Sequence, residues 1–264
     1  MRAFALALGL LALLSTPLRA EDDAGRAARW KELSQAIFGD RTLLDGAGVV
    51  SLDAPARAMD ASLVPITVGL SGGEKVRALY LVVDGNPSPL AGTFRFGPLA
   101  DPRTLKTRVR VEQYTLMHAV AETEDGRLLV AERFVKAAGG CSAPSAKDAA
   151  AAMARLGQMR MRVEGAPEPG QTATAHLLIS HPNNTGMAMD QATRHFVPAR
   201  YIQDIKVTQG DATVFELDAD ISLSEDPAIT FGFVPQGAAP LQIVVQDSAR
   251  AVFRQSFPVV GQGS

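Results

Sequence analysis

The spacing of apolar and polar positions divides the chain into a helical start and two strand-rich blocks. Trp30, Leu33, Ile37 and Phe38 recur at helical spacing, and Gly39 follows them, so residues 24–38 predict a helix. From Val64 the period falls to two. Val64, Ile66, Val68 and Leu70 alternate, Ser71-Gly72-Gly73 turns the chain, and Val76 to Val83 forms the next predicted strand before Asp84-Gly85-Asn86-Pro87. Further strands are predicted around Phe94 and Phe96 and over 107–111, 114–121 and 128–135, with Asp125-Gly126 as a hairpin turn. A second block predicts strands over 158–163, 172–179, 201–207, 213–217, 229–234, 241–245 and 251–257, interrupted by a long loop at 181–200. Short strands separated by turns, with no strand–helix alternation, predict two antiparallel sandwiches in tandem.

Between the blocks the composition changes. Ala137-Ala138-Gly139-Gly140-Cys141-Ser142-Ala143-Pro144-Ser145 contains no bulky apolar side chain. Nothing in it is suited to a core position, so the segment is expected to be exposed and flexible. The Ala-rich run 146–156 predicts a short helix. The expected organisation is a first domain over 24–136, a flexible segment with its short helix over 137–157, and a second domain over 158–260.

Residues 1–20 change the picture of location. Arg2 precedes an apolar run from Ala3 to Leu14, and Ala20 is a small residue before a polar stretch. That three-part order predicts a cleaved secretory signal and an exported protein with no membrane span. Of the chain's 264 residues 47% are hydrophobic and 20% charged, which are globular proportions. The net charge of −2 gives no basic footprint for nucleic acid. One cysteine rules out an internal disulfide and a cysteine-built metal cage.

That cysteine, Cys141, falls on the segment expected to be exposed, where a free thiol is a liability in an oxidising compartment. No His, Asp or Glu lies between residues 133 and 147, so the neighbours in sequence supply no base for nucleophilic catalysis. Lys136 and Lys147 would lower the thiol pKa modestly. A thiol on a flexible arm without a base suits a carrier that presents covalent cargo to enzymes bringing their own catalytic groups.

The chain resembles the SoxY and SoxZ subunits of the bacterial sulfur-oxidation carrier, joined in one polypeptide. The SoxY-like stretches are Val64-Pro65-Ile66-Thr67-Val68, Val83-Asp84-Gly85-Asn86-Pro87, Ala91-Gly92-Thr93-Phe94-Arg95-Phe96, Val120-Ala121-Glu122, Asp125-Gly126 and Lys136 running into Gly139-Gly140-Cys141. The SoxZ-like stretches are Ile179-Ser180-His181-Pro182, Thr185-Gly186, Val197-Pro198-Ala199, Tyr201-Ile202-Gln203 and Asp226-Pro227-Ala228-Ile229. The fusion is similar to the quinoprotein dehydrogenase-associated SoxYZ-like carriers.

The resemblance implies immunoglobulin-like sandwiches, a periplasmic location, no cofactor, and no enzymatic activity of the chain's own. It implies that Cys141 is the attachment site and that Gly139 and Gly140 form the carrier arm. It implies contact between the SoxY-like and SoxZ-like domains, and partners among sulfur-oxidation-like or quinoprotein dehydrogenase system enzymes. In SoxY the cysteine lies in a terminal Gly-Gly-Cys-Gly-Gly. Here Ser142-Ala143-Pro144 follows and the chain continues, so the arm enters a partner as a loop, which implies a partner with an open site.

Two other functions remain in view. One is a non-catalytic accessory or assembly module for the dehydrogenase in which Cys141 is incidental. The other is a thiol enzyme whose base comes from the second domain. His181, Met187, Met189 and His195 cluster in the long loop with ligand types that suit copper, but their spacing matches no established set, and a structured loop without metal is expected. His118 alternates with Leu116 and Val120 and is expected within a strand.

Overall fold

The computed structural model describes residues 22–71, 73–144, 149–164 and 170–259. The predicted export signal lies outside them. So do residues 145–148 of the segment after Cys141.

Helix α1 spans Asp23–Phe38. The Asp22 side chain accepts a hydrogen bond from Gly25 N, and Gly39, at φ 66°, ends the helix with its N–H on Gln35 O. Phe38 is buried against Val120 and Leu128, edge-on to Tyr80. Trp30 lies flat on the buried His118 ring, with centroids 3.6 Å apart. His118 sits in its strand, as expected, with Nδ1 2.9 Å from Asp84 Oδ1. Burial pushes the Asp84 carboxyl up, against the opposing pull of His118.

The strands of the first half are β1 (Leu43–Asp45), β2 (Val50–Asp53), β3 (Val64–Leu70), β4 (Val76–Val83), β5 (Leu90–Phe96), β6 (Ala100–Val109), β7 (Thr115–Thr123) and β8 (Leu128–Val135). After α2 (Ala149–Ala154) come β9 (Met159–Glu164), β10 (Ala173–Ile179), β11 (Ile202–Gln209), β12 (Ala212–Ala219), β13 (Ala228–Phe233), β14 (Leu241–Asp247) and β15 (Val252–Phe257). The alternation read from the sequence is visible in burial. Val64, Ile66, Val68 and Leu70 all face inward on β3, and Leu241, Ile243 and Val245 do so on β14. The short β1 and β2 were not predicted. Their few residues mix Leu and Val with Asp and Ser and offer too little alternation to read.

The fold is all-β, with tandem sandwiches as expected, but the two are not separate bodies. Their sheets run into one another edge to edge. One sheet has the order β1-β8-β7-β4-β5-β12-β11-β14-β15, the other β2-β3-β6-β13-β10-β9. The halves join where β5 pairs with β12 and β6 with β13, both antiparallel. Pairing at these edges satisfies backbone groups that two isolated sandwiches would leave open. A single hydrophobic core runs through both halves, and at the seam Phe94 of β5 meets Phe215 of β12, which in turn meets Phe231 of β13 edge-on. Gly232 allows the β6–β13 approach, because a Cβ there would stand 2.6 Å from Asp101 O.

The long loop 181–200 is pinned at its base. His181 N donates to Asp226 Oδ1, and His181 Nδ1 accepts from Asn183 N. The His181 ring is buried beside Asp247, whose Oδ2 accepts from Arg200 Nε at 2.8 Å and whose Oδ1 accepts from Ala251 N. Burial works to raise the Asp247 pKa, but the Arg200 bond and its companions outweigh it and hold the carboxyl below its ordinary value. Asp247→Ala is expected to destabilise the fold by about 3 kcal/mol, because it leaves the half-buried Arg200 guanidinium and the Ala251 N–H without their acceptor. The folded pKa lies below the unfolded one, so this contribution is present above the unfolded value and is lost as pH falls through the folded one. Urea titrations of wild type and Asp247→Ala at pH 7 and at pH 3 check this: the gap between them should narrow at the lower pH.

Candidate functional site

Cys141 sits at the seam between the two halves. The expectation of an exposed thiol on a flexible arm is corrected: Cys141 is fully buried, and residues 137–144 are docked against the fold. The small residues were read as a sign of openness. They act as clearance instead. A Cβ on Gly140 would stand 2.0 Å from Ala61 O and 2.7 Å from Val111 O, so only glycine lets the segment lie this close. Gly139 turns the chain into place at φ 79°.

Both halves hold the segment. From the first, Gly139 N donates to Glu112 O and Gly140 N to Val111 O. The Glu112 carboxylate accepts from Cys141 N at 2.8 Å, from Ser142 N at 3.2 Å and from Ser142 Oγ at 3.0 Å. Arg110 Nη1 donates to Gly140 O. From the second half, Thr185 Oγ1 donates to Cys141 O at 2.6 Å. Glu112 is positioned in turn by Asn86, whose Oδ1 accepts from Glu112 N and whose Nδ2 donates to Arg110 O and to Ser222 Oγ. Stretches quoted above for the two resemblances, Asp84-Gly85-Asn86-Pro87 and Thr185-Gly186, thus meet around one cysteine.

The thiol is kept protonated. Burial pushes the Cys141 pKa from its ordinary 9.0 up to about 12, and the Glu112 charge adds to it against a smaller opposing pull from Arg110. This reverses the modest lowering expected from Lys136 and Lys147. Among the described residues no group hydrogen-bonds the sulfur, and none of them serves it as a base. Glu112, the acid that the fold does bring close, binds backbone and Ser142 rather than Sγ. Sequence reasoning missed Arg110, Glu112 and Asn86 as partners of the segment. Arg110 and Glu112 flank Val111 directly after β6, where charged residues alternate with valines, so nothing local set these two apart from Lys106 and Arg108.

Of the possible copper ligands, His181 is buried beside Asp247 and His195 is exposed. Met189 lines a cavity of about 340 Å³ between the Cys141 segment and the long loop.

Residues 34–141 match the family model "Sulfur oxidation protein SoxY", and residues 161–258 match "Sulphur oxidation protein SoxZ". The first match ends at Cys141, and together they span most of the chain. Fold and site therefore define a two-part β-sandwich protein closed around one cysteine. The chain is a SoxYZ-like fusion, a SoxY-family half followed by a SoxZ-family half. A solved structure with 24% identity, described as the sulfur carrier protein SoxY from Chlorobium limicola f thiosulfatophilum, is matched over 42% of this chain and 94% of that one, with a TM-score of 0.37. No curated protein matches the chain.

Proposed function

We propose that this protein is a non-enzymatic thiol carrier of sulfur oxidation. Cys141 holds a covalently bound sulfur intermediate, or another electrophile, and presents it to partner enzymes. The observation that carries this reading is the position of Cys141: it is the last residue of the SoxY match and is held by both the SoxY-like and the SoxZ-like halves. The absence of a base at the sulfur, among the described residues, fits a group that others act upon. The buried state is the idle one, and loading requires the segment 139–142 to leave its cradle. The location we propose is periplasmic, from the signal read over residues 1–20, and the partners belong to a sulfur-oxidation-like or quinoprotein dehydrogenase system.

One observation favours the accessory-module reading. A buried thiol with a raised pKa behaves as an inert structural cysteine. Intact mass, measured without reductant on protein taken from its native host, separates the two. The carrier reading expects added mass on Cys141 that reductant removes and that Cys141→Ser lacks. A bare thiol, with dehydrogenase activity in the host unaffected by Cys141→Ser, would leave the accessory role. The same spectrum reads location, since export predicts a mature chain that starts at Glu21.

A further inference from the structure

The turn that carries Thr185 to Cys141 is pinned by an imidazole. His181 Nδ1 accepts a hydrogen bond from Asn183 N at 3.0 Å. A backbone N–H can only donate, so Nδ1 is the bare nitrogen and the ring proton sits on Nε2. Nε2 lies 3.5 Å from Asp247 Oδ2 without a hydrogen bond. Neither nitrogen has a lone pair left for a metal. The ring is buried, and charged groups surround it from three elements. They are Asp247 at the end of β14, Arg200 ahead of β11, and Asp226 ahead of β13, whose Oδ1 accepts from His181 N. Burial, with help from the Arg200 charge, outweighs the pull of Asp247 and holds the His181 pKa below its ordinary 6.5.

Asn183 is the root of the contacts that the second half makes with the Cys141 segment. It is fully buried at φ 42°, a left-handed conformation that a non-glycine residue keeps only where its surroundings hold it. Its O accepts from Arg110 Nη2, and Arg110 Nη1 donates to Gly140 O. Two residues on, Thr185 Oγ1 donates to Cys141 O. Its side chain is anchored to Leu223 O, Ser224 O and Ile202 N, so strain at its N–H is taken up by the backbone that runs on to Thr185. A proton on His181 Nδ1 sets one N–H against another, and the bond from Asn183 N is lost. We infer that His181 is a pH-sensitive pin of the cradle: protonation at Nδ1 frees the turn 183–185 and releases the segment 139–142. The closed arrangement binds the neutral ring, so its stability is complete above the ordinary 6.5 and is lost as pH falls below it. A ring that titrates normally once released, and resists protonation while closed, shifts the balance toward release by at most about thirtyfold at pH 5 relative to pH 7.5. Release in acid regulates loading only if Cys141 is a carrier, so that use rests on the carrier reading; the pin itself does not.

The test is the rate at which dithiodipyridine, a disulfide that stays reactive in acid, titrates Cys141 in the full mature chain between about pH 7.5 and pH 5. Division by the rate for N-acetylcysteine at each pH removes the fall in thiolate and leaves the fraction released. That ratio is expected to rise by about tenfold to thirtyfold toward pH 5. In His181→Asn the Oδ1 atom accepts from Asn183 N but takes up no proton, so the ratio should stay within a factor of about two. Circular dichroism at pH 5 checks that the sandwiches persist. Glu112 holds the same segment with a carboxylate, and Glu112→Gln separates it from His181. A rise that survives His181→Asn and vanishes in Glu112→Gln puts the sensor at Glu112 and overturns the pin, as does a flat ratio in the wild type. If His181→Asn fails to fold, hydrogen exchange of the wild type decides. Protection of the Asn183 and Cys141 amides, taken relative to Val245 on β14, should fall by about tenfold over the same range; unchanged protection overturns the pin. A Cys141 that is never loaded in the host ends the carrier reading and leaves this pH response in place.

Discussion

Gly140→Ala is expected to raise the rate at which a neutral disulfide reagent titrates Cys141 at pH 8 by about a hundredfold to a thousandfold. The upper end follows from thiolate content. A thiol moved from about 12 to its ordinary 9.0 gains roughly three powers of ten in thiolate at pH 8. The lower end allows for transient opening of the segment in the wild type, which already exposes some thiol. The cause is steric. The new Cβ would have to stand 2.0 Å from Ala61 O, a backbone atom that cannot swing aside. The segment must lift, and with it go the bonds from Cys141 N and Ser142 N to Glu112 and from Thr185 Oγ1 to Cys141 O. Stopped-flow reaction with the reagent reads the rate directly. Circular dichroism confirms that the sandwiches persist, because Gly140 lies outside every strand. Rates within a factor of three of each other would mean that the cradle does not control access to the thiol.

The same glycine shows where the sequence was legible and where it was not. Strand periodicity is a local signal, and β3, β4 and β8 lie where alternation placed them, from Val64 to Leu70, Val76 to Val83 and Leu128 to Val135. Cys141 was singled out by composition and by its Gly-Gly neighbours. Its burial was not legible, because burial depends on what comes from elsewhere in the chain. Ala61, Val111, Glu112 and Thr185 are up to 80 residues away and reach the segment only through the fold. A run of small residues reads equally as a free arm or as clearance for close packing, and only the carbonyls facing Gly140 decide. The joining of the sheets was hidden for a related reason. Edge-to-edge pairing of β5 with β12 involves two strands that look alike whether their edges meet each other or water.

Phe215→Ala, in the second half, is expected to lower the urea midpoint reported by Trp30, in the first half, by about 1–2 M. The ring is 1% exposed and touches Phe94 across the seam and Phe231 on the facing sheet. Removing a buried phenylalanine costs about 3–5 kcal/mol, from lost burial and the cavity left behind. With a urea slope of about 2–3 kcal/mol per molar, that cost gives the stated shift. Trp30 is the chain's single tryptophan and stacks on His118, so its fluorescence reports the docking of α1, on the other side of β4 and β7 from the substitution. Two independent sandwiches would leave that signal where it was and split the far-ultraviolet transition in two. A core shared through the β5–β12 and β6–β13 pairings requires instead that both probes move together in one transition. The coupling bears on function, because the cradle of Cys141 takes Glu112 from one half and Thr185 from the other. A loosened seam should therefore also speed the thiol reaction, with the effect growing in urea well below the unfolding midpoint. If Trp30 and the thiol both ignored Phe215→Ala, the halves would be neighbours joined by a linker, and the thiol would be sheltered by the first half alone.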